Sequence, residues 1–321
     1  MKFIDLFCGI GGFRIGFESV KGDCVFSSDI DKFACETYNN NFGDYPLSDI
    51  TLIDEKKIPD FDILCAGFPC QPFSIGGLRK GFQDTRGTLF FDIERIVRTK
   101  KPKAFILENE KGLVNHDKGK TLKVILNKLA NRINGVDNLD RFDDCLNYDV
   151  YYKVINSKDF GVPQNRERIY IIGFKHKKDF IFPESKLEKK LLEVLSKNED
   201  KNTLSEILNF NIDVHLKAHK KYTEIKDLEY LLAYEVRKSR STFRFDNLSP
   251  TLTAKMGTGG NNVPVLVNQR RKLTTDECLR IQGYPENFKI KSNNSQSYKQ
   301  IGNSVSVPVI KALAKAIVKF I

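Results

Sequence analysis

The sequence contains no run of roughly eighteen apolar residues, the length a helix needs to cross a bilayer, which argues against a membrane span. Its first residues, Met-Lys-Phe-Ile-Asp-Leu-Phe, lead directly into a strand pattern. They carry neither the apolar stretch nor the cleavage site of a secretory signal, so a cytoplasmic location is expected. Cysteines number seven, at positions 8, 24, 35, 65, 70, 145 and 278. An odd count without any Cys-x-x-Cys speaks against both a disulfide framework and a zinc knuckle. Histidine is scarce, with four in the chain. His215 and His219 have the spacing of a helical metal pair, but Leu216 stands where a metalloprotease helix carries Glu, and no metal is expected.

What the chain does have is the profile of a globular protein: 321 residues, 40% hydrophobic and 29% charged. That length suits one large domain, or a large domain carrying a smaller one. A net charge of +11 favours a polyanionic partner, because neutralising phosphates releases condensed counterions. An ordinary solvated basic surface would give the same number.

Short apolar runs alternate with helical patterns through the first half, the signature of βαβ units. Strands are predicted at 2–7, 24–29, 61–67, 104–108, 150–155 and 169–174, and helices at 13–20, 31–41, 88–99 and 120–133. The expected fold is α/β, a doubly wound and mostly parallel sheet, with ligands outside the carboxyl ends of the strands. Residues 134–147 read as an extra surface loop, and 185–201 as a surface helix or connector. From there to about 268 the alternation is lost, which suggests a second, smaller domain, before an amphipathic helix returns at 305–321.

Asp5-Leu-Phe-Cys-Gly-Ile-Gly-Gly12 follows the first strand and opens the first helix. Glycines there permit a tight turn and close approach of a ligand. A dinucleotide pattern begun at Gly9 would need a small residue at 14, where Arg14 stands, so a pyrophosphate on this helix start is disfavoured. Asp29 ends the second strand and offers a carboxylate to two ribose hydroxyls; Asp49-Ile50, expected at the next strand end, would address an adenine edge. Together these point to an adenosine-containing cofactor without a bound pyrophosphate.

Gly67-Phe-Pro-Cys-Gln-Pro-Phe-Ser74 follows the third strand and brings Cys70 to the same crevice, its backbone restricted by two prolines. Cys65, inside the strand, reads as a small core residue. Cys70 reads as a nucleophile whose thiol, ordinarily of pKa about 8.5, the site must lower.

These motifs resemble those of the cytosine-C5 DNA methyltransferase family of bacterial restriction-modification type, in order and over nearly the whole chain. The Phe7-Cys-Gly-Ile-Gly-Gly12 loop resembles its S-adenosylmethionine motif, and Phe68-Pro-Cys-Gln71 its nucleophile motif. Glu108-Asn109 resembles its Glu-Asn-Val motif, and Gln164-Asn-Arg-Glu-Arg168 its Gln-x-Arg-x-Arg signature. Arg271-Lys-Leu, Glu277-Cys and Gln282-Gly-Tyr-Pro285 resemble the late motif that supports the recognition domain, and Gln300-Ile-Gly-Asn-Ser304 the final one.

The resemblance implies an S-adenosylmethionine-dependent methyltransferase acting on C5 of a cytosine flipped out of double-stranded DNA. It implies Cys70 as the covalent nucleophile and Glu108 at N3 and the exocyclic amine. Arg168 would hold O2, and Arg166 would orient the loop or Glu108. For the cofactor it implies Phe7, Gly9, Gly11, Gly12, Asp29, Ile30, Asp49, Ile50, Phe68, Leu89, Asn303 and Ser304. For DNA it implies Gln71, Ser74, Arg79, Arg86, Thr251 and Leu252, the first four on a closing loop with Gly76, Gly77, Gly81 and Gly87. The implied domains are 1–184, catalytic; 185–284, target recognition; and 285–321, returning to the catalytic part. A role in modification is the default, protecting a site cut by a cognate restriction endonuclease without contacting it. Transfer to one strand at a time suits a monomer.

Two features depart from the family. Cys8 replaces the more usual Ala, a small-for-small change. Glu110 stands where the family usually has Val. If the chain stays extended there, residues 108 and 110 share a face and two carboxylates interact; if the strand ends first, Glu110 is sent elsewhere. In the recognition region, Gly257-Thr-Gly-Gly-Asn-Asn262 either offers polar groups to base edges or is a plain Gly-rich hairpin. Three rival readings remain. The family's tRNA-methylating branch has a Cys-Phe-Thr tripeptide absent here, a silent DNA-binding paralogue would not need Cys70, Glu108, Arg166 and Arg168, and an NAD-dependent oxidoreductase conflicts with Arg14.

Overall fold

The computed structural model describes residues 1–69, 89–196, 204–259, 261–290 and 292–321. Eight strands form one sheet: β1 (Lys2–Leu6), β2 (Asp23–Ser28), β3 (Ile63–Gly67), β4 (Ala104–Glu110), β5 (Ala130–Ile133), β6 (Val136–Asp137), β7 (Tyr148–Asn156) and β8 (Glu167–Phe174). Their order is β2-β1-β3-β4-β8-β7-β5-β6. β1 to β4 are mutually parallel, and so are β5 and β7. β8 runs antiparallel between β4 and β7, and β6 antiparallel to β5. The sheet is therefore mixed.

Alternation along each strand builds a core on both faces. Ile4, Leu6, Leu64, Ala66, Phe105 and Leu107 pack under the helices Leu89–Lys100 and Lys120–Leu129. Phe3, Ile63, Cys65, Ala104, Ile106 and Ile172 pack under Gly12–Glu18 and Val307–Ile317 through Phe13, Phe17, Val309, Ile310 and Leu313. The stretch Asn294–Phe320 is long and apolar enough to cross a membrane by composition. It is broken after Asn303, and most of its apolar window is buried in this core.

Several expected boundaries move. The helix predicted at 120–133 ends at Leu129, because Ala130–Ile133 finds backbone partners in β7 and β6. That pairing also turns the start of the expected 134–147 loop into a hairpin. Of the segment predicted as a surface helix or connector at 185–201, the described part to residue 196 is irregular; a single turn, Leu191–Glu193, buries Leu191 and Val194 against the C-terminal helices. Its Lys-, Glu- and Leu-rich composition allowed either reading; the buried Leu191 and Val194 anchor an irregular connector rather than one helix face.

Where the βαβ alternation stops, β9 (Leu232–Tyr234), β10 (Thr242–Arg244), β11 (Val265–Leu266) and β12 (Arg271–Lys272) form a small antiparallel sheet in the order β10-β9-β11-β12. The helix Glu206–Lys217 lays Leu208, Ile212 and Leu216 on Ala233 and Val265, a separate small core. The two histidines noted in the sequence are engaged locally: His215 on this helix bonds Ser241 Oγ at 2.8 Å, and His219, just beyond it, packs its ring against Phe243 and Phe245. This sheet is tied back by the buried Arg271, whose guanidinium makes two 2.8 Å bonds to Glu277 at the start of the helix Thr275–Gln282.

Candidate active site

The carboxyl ends of β1 to β4 open on one side of the sheet, the position at which doubly wound folds hold ligands. Because β8 runs the other way, its amino end, with Arg166 and Arg168, reaches the same side. Between them lies a cleft of about 480 Å3 lined by residues that include Phe7, Gly9, Asp29, Ile30, Phe68, Pro69, Leu89, Glu108, Asn109, Glu110, Arg166, Arg168 and Asn303. A narrower slot shares Phe7, Asp29, Ile30 and Leu89 with it and continues to Ser48, Asp49 and Ile50. Their combined size is ordinary for a small-molecule site.

At the first end the backbone is bent to face the ligand space. Phe7 and Gly9 both have positive φ, 53° and 54°, an unusual conformation for Phe and one that marks a held loop. The Gly9 N–H donates to Asp29 Oδ2 and the Asp31 N–H to Oδ1, each at 2.8 Å, so one carboxylate pins the loop and the start of the helix Lys32–Phe42. Burial pushes the Asp29 carboxyl up from its usual range against those two N–H donors. Each oxygen keeps a lone pair for a hydroxyl donor.

The other glycines expected at the cofactor have a packing role visible in the fold. Gly11 and Gly12 do not line the cleft; a Cβ on Gly11 would fall 2.3 Å from the Phe42 ring, and on Gly12 2.5 Å from Val305. Their smallness lets the first helix pack. Asp49 also departs from expectation: it is at no strand end but caps the turn Ile50–Leu52, accepting from the Thr51 N–H and hydroxyl. It still borders the slot.

At the second end Glu108 is buried in β4, and burial raises its carboxyl above the usual range while Arg168 and Arg166 pull it down. Arg168 Nε lies 3.2 Å from Glu108 Oε1. That oxygen makes no hydrogen bond among the described residues, since the contact is ionic and poorly aligned. Asn109 donates from Nδ2 to the Phe68 carbonyl at 2.9 Å, which fixes the segment ending in Pro69. Cys70 is the next residue in the chain. It lies outside the described residues, as do Gln71, Ser74, Arg79, Arg86 and the proposed closing loop.

Arg166 is 2% exposed and has three carbonyl acceptors: Leu252 and Ser304 at 2.7 Å, and Gly302 at 3.4 Å. Burial lowers its pKa to about 10, still well above neutrality. It therefore orients backbone from two distant segments, and it bonds that backbone rather than Glu108. Leu252 is buried, its N–H on Gln164 Oε1, and the Thr251 hydroxyl donates to the Asn165 carbonyl. Neither residue lines the cleft, and nor does Ser304, whose hydroxyl donates to the Ile301 carbonyl. The start of the 257–262 stretch belongs to Ala254–Thr258, a helical turn packed on Asn294–Asn303; residue 260 lies outside the described residues. Asn262 spends its amide on the Lys255 and Gly259 carbonyls and accepts from Arg237.

Lys299, which the sequence did not single out, also lines the cleft and pairs with Asp31 at 2.7 Å across the rim; Gln300, expected only as part of a motif, lines it too and accepts from Thr37 at 2.7 Å. Position beside the Gly-Asn-Ser motif was the available signal, and a lone lysine in a helix otherwise reads as solvated.

Comparison with known proteins agrees with this geometry. A model of the C-5 cytosine-specific DNA methylase family matches residues 1–319. Type II methyltransferase M.SsoII of Shigella sonnei is 45% identical over 332 residues, covering 99% of this chain and 80% of that protein. Type II methyltransferase M.HhaI of Haemophilus parahaemolyticus is 41% identical over 328 residues, covering 98% and 93%. Among solved structures, S. pombe Dnmt2 methyltransferase superposes with a TM-score of 0.70 at 18% identity, covering 99% of this chain and 98% of its own. A putative DNA modification methyltransferase from an E. coli prophage does so with a TM-score of 0.70 at 23% identity, covering 100% and 99%. At such identities the structures bear on the fold alone.

Proposed function

The chain belongs to the C-5 cytosine-specific DNA methylase family, and from that premise we propose that it methylates C5 of a cytosine extruded from a specific duplex DNA sequence, through a covalent bond from Cys70 to C6. One observation carries this reading. A single cleft has the Gly9–Asp29 clamp at one end and Glu108, Arg168 and Pro69, the residue before Cys70, at the other.

The family's members generally use S-adenosylmethionine, and the lining fits it. Asp29 offers free lone pairs to ribose hydroxyls, and the slot between Ile30, Ile50 and Leu89 suits a flat ring. When bound, it supplies a methyl group on an electrophilic sulfonium. The residues do the rest. The Cys70 thiolate adds to C6, while Glu108 gives a proton to N3 and holds the exocyclic amine, so electron density moves to C5. Arg168 bonds O2, where charge develops. After C5 is methylated, its proton leaves to a base, for which water suffices; the C6–S bond then breaks and Glu108 recovers its proton. A base stacked in a duplex is out of reach of any thiol, so flipping is part of this reading.

The region 185–284, with its small sheet, serves on this reading as the target recognition domain, and 285–321 completes the catalytic part. On this reading it also serves modification beside a restriction endonuclease acting on the same site, in the cytoplasm and as a monomer; similarity to Type II methyltransferases supports the modification role.

DNA carrying 5-fluorocytosine tests the chemistry, since fluorine cannot leave as a proton. We expect a stable adduct that maps to Cys70, and loss of transfer with DNA binding retained in Cys70→Ala. Methyl label on an exocyclic nitrogen, or normal turnover by Cys70→Ala, overturns the reading.

A further inference from the structure

The strand β4 runs two residues past Glu108. Alternation therefore puts Glu108 and Glu110 on the same face, and the register sets Glu110 directly opposite Arg168 on β8. The Arg168 guanidinium lies between the two acids. Its Nε is 3.2 Å from Glu108 Oε1 and its Nη2 is 3.9 Å from Glu110 Oε1. One acid is buried and the other exposed, with side chains 11% and 72% accessible. Both line the cleft. Lys111, the next residue after Glu110, is engaged instead by Glu167 at 2.9 Å. An acid thus occupies the mouth of a cleft meant for a polyanion, at a position where the family pattern has Val.

We propose that Glu110 is a positioning residue for the cytosine-C5 reaction: it takes a share of the Arg168 guanidinium, so that this arginine is not wholly committed to Glu108. The inference rests on the proposed function. Groups facing Glu108 are Arg166, Arg168 and Tyr170 from β8 and Glu110 from its own strand. Burial pushes the Glu108 carboxyl up and Glu110 adds to that push, while the two arginines oppose it. With both acids ionised, the two arginines are balanced; without Glu110 a positive charge is left over beside Glu108. That excess favours the ionised carboxylate, which cannot give its proton to N3. Transfer therefore fails at lower pH when Glu110 is neutralised.

The test is single-turnover methyl transfer to saturating duplex DNA as a function of pH, comparing wild type, Glu110→Gln, Glu110→Val and the charge-retaining Glu110→Asp. In the two neutral variants the alkaline loss of activity should move to lower pH by about half a unit, a modest shift because Glu110 is exposed and screened. The shift should shrink between roughly 50 and 200 mM salt. Glu110→Asp should stay nearer wild type, and neutral variants should bind DNA more tightly because a repelling charge is gone. An exposed substitution should leave the melting temperature unchanged, which separates this effect from damage to the fold. Superimposed pH profiles, or a shift to higher pH, overturn the proposal while leaving the enzyme's reaction intact. Failure of wild type to methylate cytosine C5 overturns the underlying reading and this inference with it.

Discussion

Arg166 Nη1 lies 2.7 Å from the carbonyl oxygen of Leu252, a residue 86 positions later in the chain. The same guanidinium reaches Ser304, 138 positions away. One side chain beside the catalytic strand thus fixes the connection between β10 and β11 and the C-terminal motif beside the cleft.

The two arginines of the Gln-x-Arg-x-Arg motif should therefore fail differently. Arg166→Lys leaves buried carbonyls unpaired, each at roughly 1–3 kcal/mol, so the melting temperature should fall together with activity. Arg168→Lys keeps a charge but loses its fork, and turnover should drop on the order of 10²-fold with the fold intact. Calorimetry and single-turnover rates separate the two; equal melting temperatures would refute the structural role of Arg166.

Lys299 and Asp31 close the rim with a partly exposed ion pair. Burial pushes the Asp31 carboxyl up, but the Lys299 ammonium and the helix N–H groups outweigh it and hold the acid below its usual range. The pair's contribution is present above about pH 4 and is lost as pH falls through the lowered value. Lys299→Met should weaken S-adenosylmethionine binding by about two- to fivefold at pH 7, measured by titration calorimetry, in line with about 1 kcal/mol or less for such pairs. Unchanged affinity would show the pair to be a bystander.

Asp5 is fully buried in β1, and neither carboxyl oxygen has a hydrogen-bond partner among the described residues. Burial raises its pKa well above the ordinary value against the pull of Arg14. The folded protein thus holds this proton more tightly than the unfolded chain. Stability tied to Asp5 is complete below about pH 4 and declines as pH rises toward the folded value. Relative to wild type, Asp5→Asn should gain stability with rising pH; chemical denaturation across pH 4–8 checks the slope, and a flat difference would count against it.

Gly302 sits where no side chain fits. A Cβ there would fall 2.1 Å from the carbonyl carbon of Thr253 and 2.2 Å from its oxygen, both backbone atoms. Gly302→Ala must push the 253–254 segment off Asn294–Asn303, at a cost of about 1–3 kcal/mol, and should lower melting temperature and cofactor affinity together. An alanine variant as stable as wild type would mean that this packing is loose.

Much of the catalytic part was legible before folding. Short apolar runs in Lys2–Leu6 and Ile63–Gly67 marked buried strands, and the residues following them marked the ligand side. The small sheet was not, because strands of two or three residues such as Val265–Leu266 carry too few alternations to register. Ala130–Ile133 was hidden for a related reason: its strand state comes from partners in β7 and β6, not from its own pattern.

The amino-acid order by itself determined which chemistry was available: an acid after the second strand, a cysteine between two prolines, Glu-Asn at the end of a strand, and paired arginines. Local propensity and residue type are properties of the chain, so they can be read along it. Which groups share a charge was decided only in three dimensions. Arg168 stands between Glu108 and Glu110, Arg166 serves carbonyls from 252 to 304, and Lys299 meets Asp31. Electrostatic and hydrogen-bond partners depend on distances of a few ångströms, and only the packing of the mixed sheet against its helices sets those.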